Sequence, residues 1–257
     1  MSHPLVALIP THHRFDLLAA AMASLEDLPI ILVDDSLEGD LPPELASQAL
    51  DVIRSRGEEG FSHAVNLGLA RAEELGAEWI LLLNDDAVME PGAVSALWSA
   101  RSAETGVLAP ILVQPDGREQ AGFHIRSWGR VSGRRVRGTP GDPDAVSGAC
   151  MLLRSRERLD TAFPHGMEDF ELCRRIRARG DRIRLVEAAR CHHRGGATLS
   201  PRSRVGQRHG VHGHLRLMGG GWRSPVVVGL ALAQVVVERG PTDRFRGIWE
   251  GWCDWRR

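Results

Sequence analysis

Short apolar runs alternate with segments of helical periodicity along the first half of the chain. The runs are continuous, which is typical of strands buried on both faces. The predicted strands are Leu5–Ile9, Ile30–Val33, Asp51–Arg54 and Trp79–Leu83, and the predicted helices are Phe15–Leu25, Ser62–Leu75 and Gly92–Ala100. This alternation predicts an α/β domain with a mostly parallel central sheet flanked by helices.

The second half of the chain is less regular. Residues 114–144 are rich in Gly, Arg and Pro, which predicts loops and short strands. From Ser200 onward the pattern is helical, so we expect one domain over residues 1–199 and a helical segment over residues 200–257. The elements predicted between these regions are a strand at Ala145–Leu153, a helix at Glu168–Arg179, a strand at Ile183–Val186 and a glycine-rich loop at Cys191–Thr198.

The composition excludes several chemistries. All 32 basic residues are Arg, so the chain has no lysine for a P-loop or for a Schiff-base enzyme. The formal net charge of −1 provides no overall attraction to nucleic acid. We therefore expect no nucleic-acid partner.

Cysteine usage and hydropathy favour a cytoplasmic protein. The four cysteines lack the spacing of a zinc site or a disulfide framework, which predicts buried, reduced thiols. The first residues have no basic region before their short apolar run, so we expect no signal peptide. The longest apolar stretch, Pro225–Val237, is too short to span a bilayer and is typical of a buried or interfacial helix.

The most informative polar cluster is Asn84-Asp85-Asp86, which directly follows the predicted strand Trp79–Leu83. In open α/β sheets, ligands bind at the carboxyl ends of the strands. Carboxylates at this place could hold a hard divalent cation that takes its other ligands from phosphates. The alternative is an Asx-turn that closes the strand, and the local sequence does not separate the two.

Two further acidic pairs have the same ambiguity. Asp34-Asp35 follows a predicted strand, where acidic residues often bind a base or a ribose, although a turn is the commoner explanation. Glu168-Asp169 lies at the start of a predicted helix and could provide a general base for a hydroxyl nucleophile. Acidic residues are also favoured in the first helical turn for electrostatic reasons alone.

Imidazoles occur in two groups. His192 and His193 precede two glycines and could bind a metal, although such pairs are more often surface residues. His209, His212 and His214 are spaced in a way that could bind a metal adventitiously. We assign this second group no role.

Taken in order, these segments resemble the family 2 glycosyltransferases of the inverting GT-A type, specifically their rhamnosyltransferase-like branch. The family's PTYNR and VVDDGS segments are similar to VALIPTHHR and ILVDDS in this chain. Its GFAxAxNxGxxxA segment is similar to GFSHAVNLGLARA. The metal segment of this branch, LLNPDT or LNDDV, is similar to WILLLNDDAVMEPGAV.

The resemblance continues collinearly to about residue 198. The family's xxGAxxLxRR segment is similar to DAVSGACMLLRS, and its YFEDxDLCxRxRxxGxxxxxxPxAxVxHxxGxS segment to MEDFELCRRIRARGDRIRLVEAARCHHRGGAT. The resemblance implies a GT-A catalytic domain with a Rossmann-like sheet over residues 1–199. Its nucleotide-binding half would span about residues 1–113 and its acceptor half about residues 114–199.

The resemblance also implies roles for individual residues. Asp169 matches the family's catalytic base, and Glu168 is its neighbour. Asp86 would hold a divalent cation, Mn²⁺ or Mg²⁺, together with His193 or, because the family's spacing varies there, His192. The residues implied in binding the nucleotide sugar are Thr11, Asp34, Asp35, Asn66, Asn84, Asp85, Gly148 and Ala149.

The chain departs from the family's pattern at two places. His12 and His13 stand where the family has Tyr and Asn, in the loop implied to contact the nucleoside. His165-Gly166-Met167 replaces the aromatic residues that usually precede the family's ED pair. Contacts to the nucleoside and to the acceptor are therefore expected to differ from the family's.

The implied reaction moves a sugar from a nucleotide-diphosphate sugar to a hydroxyl of a saccharide or lipid-linked acceptor, by metal-assisted single displacement. The main alternative is a catalytically inactive protein of this fold that binds carbohydrate or nucleotide sugar. A nucleotidyltransferase is disfavoured because the chain has no Lys and no Gly-rich first loop. A glycosidase is disfavoured by the nucleotide-type sheet and the metal motif.

The C-terminal helical segment alternates arginines with apolar residues. We hypothesise that it caps the catalytic domain and makes a peripheral contact with the inner face of a membrane or with a lipid-linked acceptor. Packing of the tryptophans against the core is an equally supported alternative. The residues concerned are Arg216, Trp222, Arg223, Arg239, Arg244, Arg246, Trp249, Trp252 and Trp255.

Overall fold

A computed structural model of the chain describes residues 3–36, 41–55, 59–126, 131–133, 142–195, 202–219, 224–238 and 240–256. Its strands are β1 (Leu5–Thr11), β2 (Ile30–Asp34), β3 (Asp51–Arg54), β4 (Trp79–Leu83), β5 (Ala87–Met89), β6 (Thr105–Val113), β7 (Glu119–Gln120), β8 (Phe123–Ile125), β9 (Val131–Gly133), β10 (Cys150–Arg154) and β11 (Arg182–His193). Its helices are α1 (Phe15–Ala23), α2 (Pro43–Ala46), α3 (Phe61–Glu74), α4 (Ala93–Ser99), α5 (Glu168–Ala178), α6 (Arg204–Met218), α7 (Ser224–Val237) and α8 (Asp243–Trp255).

The central sheet follows the order β3-β2-β1-β4-β10-β6-β11-β5, and β7 pairs with β6 at its side. Pairing is parallel from β3 through β2 and β1 to β4, and again between β6 and β11. β10 lies between these two parallel groups and is antiparallel to both β4 and β6. The expected α/β architecture is thus confirmed, and its sheet is mixed because β10, β5 and β7 all pair antiparallel with their neighbours.

Helices cover both faces of the sheet, and each face has its own apolar core. Val6 and Leu8 of β1 belong to the cluster that includes residues of α3 and α5. Ala7 and Ile9 belong to the cluster that includes residues of α1 and α4. Because successive side chains of a strand point to opposite faces, a strand covered on both sides is apolar at every position. This accounts for the continuous apolar runs in the sequence.

Two predicted elements differ from the structure. Cys191–His193, expected in a glycine-rich loop, is the end of β11, because these residues pair with β5. The strand expected at Ala145–Leu153 begins only at Cys150, and Ala145 forms an isolated bridge with Phe123. In both places the pairing partner is distant in sequence, so local composition did not indicate the strand's end. Residues 196–198 of the expected loop lie outside the described residues.

The four cysteines are free, as expected. Cys150, Cys173 and Cys191 are buried and Cys253 is partly buried. Burial raises the pKa of the Cys173 thiol to about 12, so this thiol is protonated and unreactive at neutral pH.

The C-terminal helices α6, α7 and α8 form a third apolar cluster. Its buried members are Val211, Leu215, Val227, Val235 and Ile248. The segment is therefore helical as predicted and has a core of its own. Within the described ranges, no helix has the length and apolar content that crossing a membrane requires.

Three of the residues proposed for a membrane or acceptor contact are instead structural. Trp252 and Trp255 pack against the third cluster. Arg244 is 2% exposed and donates a hydrogen bond to Glu238 at 2.8 Å. Trp249, in contrast, is 60% exposed. Three other residues of that hypothesis, Trp222, Arg223 and Arg239, lie outside the described residues.

Helix α6 also contacts the turn that precedes α5. Gly166 and Met167 in this turn have φ values of 82° and 72°, and positive φ is unfavourable for a residue such as Met. A Cβ atom at Gly213 of α6 would lie 2.7 Å from the carbonyl oxygen of Gly166 and 3.1 Å from Cβ of Met167. Close contact with α6 thus supports a strained turn, and this contact requires a glycine at position 213.

We predict that Gly213→Ala lowers the free energy of unfolding by about 1–3 kcal/mol, because the new methyl group forces a backbone shift. Gly210→Ala is the matched control on the same helix, since a Cβ atom there meets nothing within 4 Å. It should raise the free energy of unfolding by about 0.5–1 kcal/mol through helix propensity. Urea unfolding measures both values, and equal effects of the two substitutions would contradict the close contact.

Candidate active site

The carboxyl ends of β1, β2 and β4 lie side by side at one edge of the sheet. The register places Thr11 opposite Asp34, and β4 ends at Leu83, just before Asn84. Thr11 Oγ1 donates a hydrogen bond to Asp85 Oδ2 at 2.8 Å. Parallel pairing therefore brings polar residues from three separate segments together, as the sequence predicts for a binding site.

Asp85 is held by the end of β1. It is 7% exposed, and besides Thr11 the backbone N–H of His12 donates to it at 3.4 Å. Burial, with a smaller contribution from the charge of Asp86, raises the pKa of Asp85 to about 6. Asp85 is thus fixed in position by its neighbours and carries its charge less readily than an ordinary aspartate.

Asp86 has a different environment from Asp85. The pairing of β5 with β11 places His193 opposite Ala87, and His193 Nε2 lies 3.2 Å from Asp86 Oδ1. Burial disfavours the ionised form of Asp86, but the hydrogen bond and charge of His193 outweigh it, and the pKa of Asp86 is lowered. Asp86 therefore holds its negative charge to lower pH than Asp85 does.

The two adjacent histidines make different contacts, although both line the cleft beside Asp86. Consecutive residues of a strand face opposite sides, so only one of them can face Asp86. His192 Nε2 lies 2.9 Å from Glu90 Oε1, at an exposed position. The sequence left both histidines as candidates, and the structure brings only His193 to Asp86.

Asp34 and Asp35 are both buried beside β1. Asp34 Oδ1 accepts a hydrogen bond from the backbone N–H of Ser36, and Arg54 Nη2 lies 3.5 Å from Asp34 Oδ2. Asp34 Oδ2 has no hydrogen-bond partner among the described residues. The His12 ring Nδ1 contacts the carbonyl oxygen of Asp35 at 2.7 Å. His12, which departs from the family's pattern, thus supports this loop through its ring.

Asn84 and Ala149 are brought together by the pairing of β4 with β10. The backbone N–H of Asn84 donates to the carbonyl oxygen of Ala149 at 2.9 Å. The buried Oδ1 of Asn84 has no hydrogen-bond partner within the part of the chain that the structure describes. A buried acceptor without a partner is costly and is a common feature of ligand-binding sites.

Asp169 lies at the start of α5 and is held by two backbone donors. The N–H of Gly148 donates to Oδ2 and the N–H of Phe170 donates to Oδ1, both at 2.9 Å. Burial raises the pKa of Asp169 although both hydrogen bonds oppose the rise. Gly148, expected to shape the sugar and acceptor site, thus positions this carboxylate.

Glu168 is buried next to Asp169, but its carboxyl group has fewer hydrogen-bond partners than that of Asp169. Its Oε2 has no hydrogen-bond partner among the described residues. Burial and the adjacent charge of Asp169 both raise the pKa of Glu168. The strained turn at Met167 directly precedes Glu168 and Asp169 and so sets their position at the start of α5. Helix α6 packs against this turn at Gly213.

The structure places Asn66, predicted to bind the nucleotide sugar, against the backbone of Leu159. Its Nδ2 donates to the carbonyl oxygen of Leu159, and its Oδ1 accepts from the N–H of Leu159, both at 2.8 Å. This pair of hydrogen bonds joins α3 to the segment after β10. The side chain is fully engaged with the backbone and has a structural role.

A cleft of about 250 Å³ opens beside Asp85, Asp86 and His193. Leu17 of α1 and Gln114 after β6 also line it. The sequence pattern did not single out these two residues, because neither belongs to a polar cluster. Glu168 and Asp169 are not among the residues that line this cleft.

The residues at the cleft fit a hard divalent cation that shares its ligands with a substrate. Asp86 provides an ionised oxygen ligand and His193 an imidazole. Within the described ranges, no group of three or more His, Cys, Asp or Glu is placed to hold a metal. Phosphate oxygens or water would therefore have to complete the coordination.

Another contact that the sequence analysis missed involves His165 and His209. Their rings are 5.2 Å apart and edge-to-face, which joins the turn before α5 to α6. Burial lowers the pKa of both imidazoles. The histidines of α6 were assigned no role from their spacing, and only the tertiary contact shows that His209 borders the candidate site.

Comparison with known proteins identifies relatives and structures of similar fold. The sequence model described as Glycosyl transferase family 2 matches residues 6–159. The galactofuranosyltransferase GlfT1 of Mycolicibacterium smegmatis is 27% identical over 193 residues, covering 70% of this chain and 63% of that protein. The N-acetylglucosaminyl-diphospho-decaprenol L-rhamnosyltransferase of Mycobacterium tuberculosis is 25% identical over 248 residues, covering 80% and 81%. The chain thus spans less than two thirds of the length of GlfT1.

Two solved glycosyltransferase structures share the fold. GalNAc-T7 with UDP, GalNAc and Mn²⁺ has a TM-score of 0.66 at 15% identity, covering 96% of this chain and 54% of that one. The mannosyltransferase PcManGT from Pyrobaculum calidifontis, in complex with GDP-Man and Mn²⁺, has a TM-score of 0.61 at 11% identity, covering 100% and 88%. The expected GT-A fold is thereby confirmed.

The burial of Glu168 predicts a specific pH dependence of stability. Its native pKa is raised, so as pH rises above about 4.5 the unfolded state loses its proton first and stability falls until the native group also ionises. Glu168→Gln removes this penalty. We expect it to raise the free energy of unfolding by about 2 kcal/mol at pH 8 and to change it little at pH 4.5.

The matched control is Glu171→Gln on the same helix. Glu171 is also buried, but Arg175 donates to it at 3.1 Å. Removing this partnered charge should lower the free energy of unfolding by about 1 kcal/mol at pH 8. Denaturant unfolding at the two pH values measures both effects. A loss of stability in Glu168→Gln at pH 8 would show that Glu168 is stabilised by its surroundings.

Proposed function

Because the chain belongs to the glycosyl transferase family 2, we propose that it transfers a sugar from a nucleotide-diphosphate sugar to an acceptor hydroxyl in a single inverting displacement. The observation that carries this proposal is that two carboxylates on one GT-A fold have pKa values shifted in opposite directions. Asp86 is kept ionised beside the cleft, and Asp169 has a raised pKa at the start of α5. Sites tuned apart in this way are typical of catalytic machinery.

We assign the general base to Asp169. It takes the proton of the acceptor hydroxyl while that oxygen attacks the anomeric carbon, and the bond from this carbon to the diphosphate oxygen breaks. The diphosphate leaves with the electron pair of that bond. The N–H groups of Gly148 and Phe170 hold the Asp169 carboxylate in place for this step. A single displacement inverts the configuration of the anomeric carbon.

We assign the cation to Asp86 and His193. When bound, a divalent cation, Mn²⁺ or Mg²⁺, would offset the negative charge that develops on the departing diphosphate. The ionised state of Asp86 and the facing imidazole of His193 support this assignment. The two solved structures of the same fold were obtained with Mn²⁺ and a nucleotide or sugar nucleotide.

We assign the nucleoside end of the donor to the pocket at Thr11, Asp34 and Asp35. Asp34 Oδ2 and Asn84 Oδ1 are buried acceptors without a hydrogen-bond partner among the described residues, and hydroxyl or N–H groups of the donor would satisfy them. Asp85 orients this edge through Thr11. Gly148 and Ala149 lie between this edge and Asp169, where the transferred sugar and the acceptor would meet.

The acceptor is proposed to be a saccharide or a lipid-linked saccharide. The mycobacterial rhamnosyltransferase that aligns over 248 residues is named for a diphospho-decaprenol substrate. The donor is best identified by measuring how uridine-, deoxythymidine- and guanosine-diphosphate sugars with Mn²⁺ raise the melting temperature, since ligands stabilise the native state by mass action. Stabilisation without any transfer or hydrolysis would favour a protein that only binds nucleotide sugar.

Metal dependence is the first prediction for this function. EDTA should abolish transfer, and Mn²⁺ or Mg²⁺ should restore it. Asp86→Ala should lose both turnover and the donor-induced rise in melting temperature, because it removes the ionised ligand. His193→Ala should raise the Mn²⁺ concentration needed for half-maximal activity about tenfold or more.

His192→Ala is the matched control for the metal assignment. Its ring contacts Glu90 and not Asp86, so its Mn²⁺ requirement should equal that of the parent protein. Full activity in EDTA would exclude a metal role. If His192→Ala raises the Mn²⁺ requirement more than His193→Ala does, the assignment of the cation to His193 is wrong.

The base assignment gives the second prediction. Asp169→Asn keeps an oxygen that can accept the hydrogen bonds of Gly148 and Phe170, but it removes the proton acceptor. Transfer should fall about 10²–10⁴-fold. Donor and Mn²⁺ should still raise the melting temperature as in the parent protein, because Asp169 is assigned to neither ligand.

Glu168→Gln separates the two adjacent carboxylates. If this variant is inactive while Asp169→Asn retains activity, the base is Glu168. If both variants turn over at close to the parent rate, the base lies elsewhere in the chain. The proposal expects a severe loss only for Asp169→Asn.

A further inference from the structure

Helix α7 has an outer face that is almost entirely apolar and exposed. Its 14 residues, SPVVVGLALAQVVV, contain no charged side chain. Ser224, Val227 and Val235 are buried towards the neighbouring helices. The exposed large side chains of the outer face are Leu230 at 41%, Leu232 at 37%, Val236 at 65% and Val237 at 82%.

The exposed residues of α7 form one broad surface. At about 100° per residue, the buried positions fall within a narrow sector and the exposed ones spread over about 200° of the opposite side. The polar Gln234 lies at the border of this surface and donates to Glu238 at 3.1 Å. A helix that is apolar all round is normally buried, so this surface is built to contact another apolar phase or partner.

The length of α7 fixes how it can meet a lipid phase. Fourteen residues rise about 21 Å, less than the ~30 Å hydrocarbon core of a bilayer. The helix is therefore suited to lie in the plane of an interface and not to cross it. The exposed indole of Trp249, 60% accessible on α8, is a side chain typical of such interfaces.

The positive charge of the C-terminal helical segment, residues 200–257, favours contact with an anionic surface. Residues 200–257 contain ten arginines and four acidic residues, a net charge of +6, whereas the whole chain has a net charge of −1. Arg202, with a side chain 74% exposed, lies at the C-terminal end of α7 through its contact with Glu238. Arg246, 67% exposed, lies one helical turn from Trp249 on α8. Basic groups thus border exposed apolar ones at both places.

We propose that α7 is an in-plane docking helix for an anionic lipid surface. Its outer face enters the boundary between headgroups and acyl chains, and exposed arginines such as Arg202 and Arg246 attract the acidic headgroups. This surface is separate from the cleft and from Glu168 and Asp169. The proposal needs neither donor nor turnover, so its test is independent of the transferase activity.

The test measures binding of the full chain to vesicles by flotation. Vesicles of phosphatidylcholine with phosphatidylglycerol should bind the protein at low salt, and vesicles of phosphatidylcholine alone should bind it at least about tenfold less. Added salt should weaken binding because it screens the arginines. The double variant Val236→Glu, Val237→Glu should bind the anionic vesicles about tenfold less than the parent protein.

The matched control is the double variant Leu50→Glu, Val52→Glu, which changes two exposed apolar side chains, one just before and one within the edge strand β3. It should bind like the parent protein, and unchanged melting temperatures would show that both variants fold. Absence of binding to anionic vesicles at low salt overturns the proposal. The proposal is also overturned if the parent protein sediments as a dimer without lipid and the Val236→Glu, Val237→Glu variant sediments as a monomer. In that case a second copy of the chain covers α7.

Discussion

The side-by-side ends of the parallel strands β1, β2 and β4 are the constraint on which the candidate site depends. Backbone pairing in this register places Thr11 opposite Asp34 and brings Asp85 within 2.8 Å of the Thr11 hydroxyl. The strands themselves are held by apolar cores on both faces, and the polar residues of the site lie at their last positions or just beyond them. A binding edge on a buried sheet follows from that arrangement.

The four carboxyl groups of the candidate site lie in environments that shift their pKa values in different directions. His193 keeps Asp86 ionised, while burial raises the pKa values of Asp85, Glu168 and Asp169. The first environment suits a cation or a diphosphate, and the second suits a group that must accept and release a proton. The same fold thus provides a carboxylate whose ionised form is stabilised, at Asp86, and a carboxyl group whose affinity for a proton is raised, at Asp169, and the proposed transfer reaction uses both.

The C-terminal helices connect this site to a different surface. Helix α6 supports the strained turn at Gly166 and Met167 through Gly213, and His209 contacts His165 in the same turn. Helix α7, packed against α6 and α8, turns its apolar face outward. The segment therefore combines support for the proposed base with the proposed lipid contact. Both tasks use residues that follow the motif segments shared with the family in sequence.

The sequence by itself determined the α/β alternation, including the bounds of β4, because a continuous apolar run reflects burial on both faces. The order of its motifs also indicated the family and most residues of the candidate site. Only the tertiary structure decided that β10 is antiparallel, that His193 rather than His192 faces Asp86, and that Asn66 binds the backbone of Leu159. Periodicity and propensity are local properties of the chain, whereas a side chain's partner depends on segments that lie dozens of residues away and meet only in the folded state.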